Sequence, residues 1–267
     1  PQTQLPGSVN GVVALDTSKA TAVQETSMSG LSVKRYRWDD ATISAALESL
    51  RTDNYSNAQL QLVIPETESA ARVTLGLLPL EAGSKAVPGA ELVLRHGTRQ
   101  FAVPLSVIDY AELQRQFGTN AGSIQLELQM EPIMGNTAAA TLRQFKISSS
   151  TALSDPIAYT IQAVSGGRTI PLSHFSGYIA REFWLPMSVN PREATVVAYD
   201  RETGQAEFVP ALFKAQGNGT LVTVKHRGTG TYIAIADPVA FSDMEKHWSS
   251  SDVAMMAGKR IVEGKTS

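Results

Sequence analysis

The chain has 267 residues and no cysteine. Disulfides, thiolate nucleophiles and Cys-based zinc sites are therefore excluded. Histidine is scarce. The four residues stand at 96, 174, 226 and 247, a scatter that gives little support to a His-only metal cluster. Charge is thin as well: 18% of residues are Asp, Glu, Lys or Arg, against a usual share of about a quarter. The net charge is −2 with no basic block, which argues against nucleic acid as a partner. No apolar run reaches the roughly 18 residues that a transmembrane helix requires. Gly166-Gly167 and Gly217-Asn218-Gly219 lack the following Lys-Ser/Thr of a phosphate loop and read as hairpin turns. No acidic loop of the EF-hand kind is present either. The expectation is a protein without cofactor or metal.

What remains is apolar enough to fold, at 43% hydrophobic residues. Residues 1–29 are polar and weakly patterned, and read as an irregular arm or linker, with a candidate strand at Val12–Leu15. From Leu31 to Trp38 apolar and polar residues alternate, as in a half-buried strand. Asp39 and Asp40 then offer N-caps to a helix over 40–51, where Ile43, Ala46, Leu47 and Leu50 recur at helical spacing. Strands are expected at 60–64 and 71–75. His96-Gly97-Thr98 reads as the turn of a hairpin between 91–95 and 99–103. A helix follows at 106–117, stopped by Gly118. Ser123–Met130 is the cleanest alternation in the chain. Residues 134–155 read as a short helix and a crossover.

Beyond Pro156 short strands recur at 157–163, 169–172, 178–185, 194–199, 206–209, 221–225 and 231–236, with Gly- or Pro-containing turns between them. That spacing suggests an all-β sandwich or a barrel-like sheet. Near the end, Asp252 reads as the cap of a helix carrying Val253, Met255, Met256, Ala257 and Ile261, with Gly264 as its stop. The expected class is α+β and mainly β. An α+β domain at 30–150 precedes a β-sandwich-like domain at 151–239 and a C-terminal helical stub at 240–267.

The segment Phe241-Ser-Asp243…His247-Trp248…Asp252-Val253…Ala257…Ile261…Gly264 resembles the first half of a surface-layer homology (SLH) repeat. That family opens with Phe-x-Asp, then His-Trp, then a helix ending in Gly. The stretch before it is similar to the region upstream of SLH repeats in Gram-positive surface proteins. The residues that carry this second likeness include Asp155-Pro156-Ile157, Tyr178-Ile179-x-Arg181, Asn190-Pro191-x-x-Ala194-Thr195-Val196-Val197 and Phe208-Val209-Pro210. The resemblance implies a secreted protein of the bacterial cell wall or cell surface, of S-layer type, in which 241–264 begins the first repeat. Complete SLH repeats bind a secondary cell-wall polysaccharide, and Trp248 would belong to that surface. Half a repeat cannot assemble the sugar groove, so attachment is expected to lie beyond residue 267, with self-association in a surface array as a further possible contact.

Three other readings compete. Ser173-His174-Phe175-Ser176-Gly177 resembles the self-cleaving turn of nucleoporin-type autoproteolytic domains: Ser176 Oγ would attack the Phe175 carbonyl with His174 as general base. The plainer reading is a turn with Phe175 as a core plug. Tyr36, Trp38, Tyr55, Tyr178 and Trp184 would suit a glycan-binding face if exposed, although strand aromatics are usually buried. Arg35, Arg37 and Arg181 among them are expected on the solvent face. Glycoside hydrolysis needs two carboxylates across a cleft, and no pair stands out. Asp39-Asp40 read as a cap, Glu66 and Glu68 as a solvated turn, and Asp200, Glu202 and Glu207 as the flanks of a hairpin. The chain is not expected to be an enzyme.

Overall fold

The computed structural model describes residues 10–53, 57–144, 151–200, 205–236, 241–259 and 261–262. In chain order the elements are β1 (Val12–Leu15), β2 (Thr21–Thr26), β3 (Ser32–Arg37), α1 (Asp40–Asp53), β4 (Gln59–Ile64), β5 (Ala71–Gly76), α2 (Leu77–Ala86), β6 (Glu91–His96), β7 (Arg99–Pro104), α3 (Tyr110–Phe117), β8 (Gln125–Pro132), α4 (Gly135–Gln144), β9 (Ile157–Ser165), β10 (Arg168–Pro171), β11 (His174–Leu185), β12 (Ala194–Asp200), β13 (Gln205–Val209), β14 (Ala211–Gln216), β15 (Gly219–Gly228), β16 (Gly230–Ala236) and α5 (Ser250–Gly258). The chain is α+β and mainly β, as its alternation of residues predicts, and it ends in a helix.

Two compact units share the chain. One holds residues 1–131, 159–181 and 227–229; the other holds 132–158, 182–226 and 230–267. They are interleaved, whereas the sequence suggests consecutive segments cut at 29/30, 150/151 and 239/240. The reason is strand pairing between residues distant in sequence. In the first unit β9 lies beside β8, and Gln162 donates to Glu127 across them at 2.6 Å. The expected arm carries the strand read at Val12–Leu15, β1, paired in parallel with β4, and also a strand the sequence did not signal, β2, antiparallel to β3.

In the first unit one sheet runs β1–β4–β6–β7 and on to the first half of β11; the other runs β9–β8–β5–β3–β2, with β10 on β9. Successive strands alternate between the sheets: β3 and β5 pair in parallel in one, β4 and β6 in the other. Parallel neighbours need crossovers, and α1 and α2 lie on these connections. The inner faces meet where Phe101 of β7 sets its ring edge-on to Tyr159 of β9, centroids 5.2 Å apart. Helix α1 starts as expected: Asp39 caps it by accepting from the Thr42 N–H at 2.6 Å. Helix α2 is not signalled by the sequence, because Pro79 and Gly83 interrupt its pattern. Pro79 falls in the first turn, where the backbone N–H has no helical partner to lose. Gly83 is where α1 comes close: a Cβ there would lie 2.5 Å from Leu47 Cδ1.

The outer edge of this unit's second sheet is tied by ions. Arg72 of β5 donates to Glu131 on β8 at 2.6 Å and to Glu25 on β2 at 2.7 Å. Arg35 of β3 binds Glu25 at 2.6 Å and lies 3.5 Å from Glu127. The other Glu131 oxygen accepts from the Met28 N–H. Arg35 is expected on the solvent face, yet its side chain is only 12% exposed, drawn below the surface toward these carboxylates. Glu68 likewise leaves the solvated turn predicted for it: it accepts from the Lys34 N–H at 3.0 Å and the Tyr36 hydroxyl at 2.9 Å. Burial, and then that contact, push the Tyr36 phenol up to about 12.

In the second unit β12 pairs antiparallel with β13 and with β16, and β14 with β15. Val197, Ile233 and Ile235 form a buried cluster, covered by Leu142 of α4, Ala152 and Tyr199. The segment before β9 is held to β16 by the Leu153 N–H on Ala234 O, 2.8 Å, and the Ala236 N–H on Thr151 O, 2.8 Å. Helix α5 begins at Ser250 after an N-cap at Ser249, and Asp252 sits in its first turn instead of capping it. The Gly264 expected to end the helix lies outside the described residues, and α5 ends at Gly258.

Two predictions follow from this packing. A Cβ on Gly219 would lie 2.2 Å from the Leu185 carbonyl oxygen and 2.5 Å from the Trp184 ring. Gly219→Ala should cost about 1–3 kcal/mol, as overpacking does, read as a lower urea midpoint than that of the wild type.

The second concerns acid. Burial pushes the Glu25 carboxyl up, but hydrogen bonds from Arg35 and Arg72 outweigh it and hold the group below 4.5. A depressed carboxyl stabilises fully above its unfolded value and loses that contribution as pH falls through the folded one. Urea midpoints of wild type and Glu25→Gln should differ above pH 4.5 and converge as the pH drops below it.

Candidate functional site

The first unit holds a cleft of about 800 Å³. One wall is Glu81 and Lys85 of α2 with the turn 106–109 and the first half of α3; the other is the stretch Ile170–Ser176, which joins β10 to β11. Its carboxylates and Tyr110 are committed to neighbours. Asp109 caps α3 by accepting from the Glu112 N–H at 2.9 Å. Glu112 accepts from Arg115 and Gln116 at 2.6 Å each, and these bonds, Arg115 first, bring its carboxyl down to about 2. Glu81 binds Lys85 at 2.7 Å and Gln114 at 3.0 Å. Tyr110 is buried, with its hydroxyl donating to Leu105 O at 3.0 Å, and burial raises its phenol. The acidic groups of the cleft are thus caps and ion-pair members. A general acid needs a raised carboxyl pKa, and Glu112 is shifted the opposite way.

His174, Phe175 and Ser176 belong to this cleft, but they are not on a turn. They open β11, and the backbone at 174–177 has no positive φ and no cis bond. Antiparallel pairing continues the strand this far because Ser173 O accepts from Thr229 N at 2.9 Å and Leu172 O from the Thr229 hydroxyl at 3.1 Å. Phe175 is buried at 8%, as a core plug would be, while His174 and Ser176 are exposed on the opposite face. Their Cα atoms lie about 6.6 Å apart along the strand. A regular strand offers no distorted amide to the Ser176 hydroxyl.

The other residues singled out are dispersed. Trp38 (0% exposed) and Tyr36 (6%) are core residues, the Trp38 indole N–H donating to Asp16 O at 3.1 Å. Trp184 is half-buried, and Tyr55 lies outside the described residues. Tyr178 is the exception at 59% exposed, with the Arg227 guanidinium 5.1 Å from its ring centroid. Arg181 is wholly buried, not solvent-facing. It lies 5.3 Å from the Phe101 ring and 5.4 Å from the Tyr159 ring, and it donates to Gly228 O and to Ile179 O at 3.2 Å. Cation–π contacts and carbonyl acceptors make that burial possible. The alternation of β11 put Arg181 on the buried face with Ile179 and Phe183, a signal the sequence carries and the charge obscured.

The histidines stand in separate settings. His96 is buried on Glu68 O at 3.0 Å, with burial as the main cause of its lowered pKa. His226 Nδ1 meets the Tyr232 hydroxyl at 2.9 Å, and Nε2 is 3.3 Å from Glu207. Asp200 and Glu202, expected with Glu207 at this hairpin, carry no described side chain. Among the described residues no three His, Asp or Glu side chains come together as metal ligands. Trp248 is 88% exposed, its ring 5.5 Å from His247.

Comparison with known protein families, with curated proteins and with solved structures gave no match to this chain.

The strand geometry yields a direct expectation for Ser176. The purified chain should keep a single intact mass through prolonged incubation at neutral pH, and Ser176→Ala should likewise show one uncleaved species, lighter only by the lost oxygen. Two fragments joining at 175/176 in wild type alone would restore the self-processing reading.

Proposed function

We propose that the chain is a non-enzymatic structural segment of a secreted bacterial cell-surface protein of S-layer type. It acts as a spacer and assembly module beside wall-anchoring SLH repeats. The observation that carries the reading is the layout of residues 241–258. A short 3-10 turn at Ser242–Met244 is followed by an exposed His247-Trp248 pair and then by helix α5. That is the order in which the resembled repeat presents its aromatic and its first helix. The sheets of both units support a spacer: buried apolar strands resist extension without needing a ligand.

A second reading, a wall-polymer or glycan module, keeps one observation in its favour. Tyr178 presents an exposed ring next to the strand face that carries His174 and Ser176. Sugars stack on such rings, but two of the five aromatics that would have formed a platform are in the core.

One experiment separates the two. The chain is sedimented with purified Gram-positive cell walls, alongside a version extended through complete SLH repeats. The expected result is that only the extended version pellets. Saturable pelleting of the short chain, lost in Tyr178→Ala, would overturn the spacer reading in favour of the glycan module.

A further inference from the structure

Edge strands expose unpaired backbone N–H and C=O groups, and folded proteins protect them with charge, proline, bulges or shortness. Among the described residues β1, β14, β13 and β2 end the runs of paired strands, and β10 lies outermost on β9. All but β2 carry such protection: β10 has only four residues, Arg168 and Pro171 among them. Strand β1 has four residues and is half-buried. Strand β14 displays Lys214, and β13 displays Glu207, 57% exposed. Strand β2, Thr21-Ala-Val-Gln-Glu-Thr26, is different. It has six residues, no proline and no lysine, and five of the six are exposed. Its one charge, Glu25, is drawn back onto Arg35 and Arg72. At its centre Val23 is 65% exposed, more than any other large apolar residue described except Trp248.

We infer that β2 pairs with β2 of a second copy of this chain, antiparallel about a two-fold axis centred on Val23. The strand is self-complementary in that register. A two-fold axis normal to a sheet keeps each residue on its own face, so the axis must pass through a residue pair, centred on Val23 or on Gln24. Centring on Val23 sets the two exposed valines against each other, Glu25 against the partner's Thr21, and Ala22 against the partner's Gln24. No like charges are opposed. Centring on Gln24 would set Val23 against the partner's Glu25, and the Gln24 amide is already held by Val33 O at 3.1 Å within its own hairpin. Cross-strand apolar pairs add to a sheet, whereas like charges directly opposite subtract from it.

A single edge buries less than the area of a stable dimer interface, so the pairing is weak in dilute solution. It gains strength where copies are tethered side by side at high effective concentration. This gives the assembly half of the proposed function a surface and rests on that half alone. The tests below contain no wall material, so their failure and a failure of wall attachment are separate results.

The absence of cysteine makes the contact directly addressable. Val23→Cys places one thiol at the axis; Leu212→Cys places one on β14 at 64% exposure as the comparison. With a short bismaleimide, Val23→Cys should give covalent dimer in clear excess over Leu212→Cys. Sedimentation of the wild type should show mass rising with concentration. Val23→Lys should weaken that association by about tenfold, since it removes the apolar pair and opposes two cations. Equal cross-linking from the two cysteines, or wild-type protein that stays monomeric at concentrations approaching millimolar, overturns the pairing.

Discussion

Four neighbouring strands of the first unit are held by a handful of charges placed where charges are costly. Arg72 and Glu131 are almost fully buried, and each would be strongly destabilising alone. Glu25, Arg35 and the Met28 N–H pair with them in one network. Such a network adds less to stability than hydrophobic residues of the same size would, but it fixes geometry. Arg72 reaches Glu131 on one side and Glu25 on the other only if β2, β3, β5 and β8 keep their order and register. The connection matters most for β2, an outermost strand whose own side chains are almost all exposed. Glu25 holds it to β3 and β5 where little apolar burial does. The same contact removes the one charge that would otherwise guard that edge. Fixing β2 in place and leaving its edge open are therefore two effects of one carboxylate.

Much of this architecture is legible in the sequence. The alternation at Gln125–Pro132, the Gly97 hairpin and the Asp39 cap all appear where period and turn chemistry put them. What the sequence hides has a common physical origin. Local pattern reports which residues face a core, but not which distant strand lies alongside. Hence the consecutive segments expected along the chain give way to interleaved units, and residues 159–181 join the first of them. Charge misleads in the same way. Arg35 and Arg181 read as solvent-facing because their partners, Glu25 and Glu127 for one and the Phe101 and Tyr159 rings for the other, lie far off in sequence. Helix α2 was masked by Pro79 and Gly83, residues that break helices in general but here fall in the first turn and at a close approach to Leu47.

The sites divide along the same line. His174, Phe175 and Ser176 are adjacent in sequence, and their chemistry looked local. Pairing of the neighbouring chain with Thr229 extends β11 back through them and makes the peptide ordinary. The aromatics looked like a platform because they recur, yet the pleat sends Tyr36 and Trp38 inward and Tyr178 outward. A motif of three residues is read correctly only when the strand that carries it has been placed.

Helix α5 shows how weakly an element can be held and still be specified. It has nine residues, below the roughly 12–15 at which isolated helices become stable in water. Its tie to the rest of its unit includes the Arg192–Asp252 pair at 2.9 Å, with both side chains more than half exposed. Exposed pairs of that kind contribute about 0–1 kcal/mol. Ala257 and Gly258 are buried, but Val253, Met255 and Met256 are only half-covered. Burial of Ala257 and Gly258 is therefore what holds so short a helix to its unit, because its exposed ion pair adds little and its methionines are only partly covered.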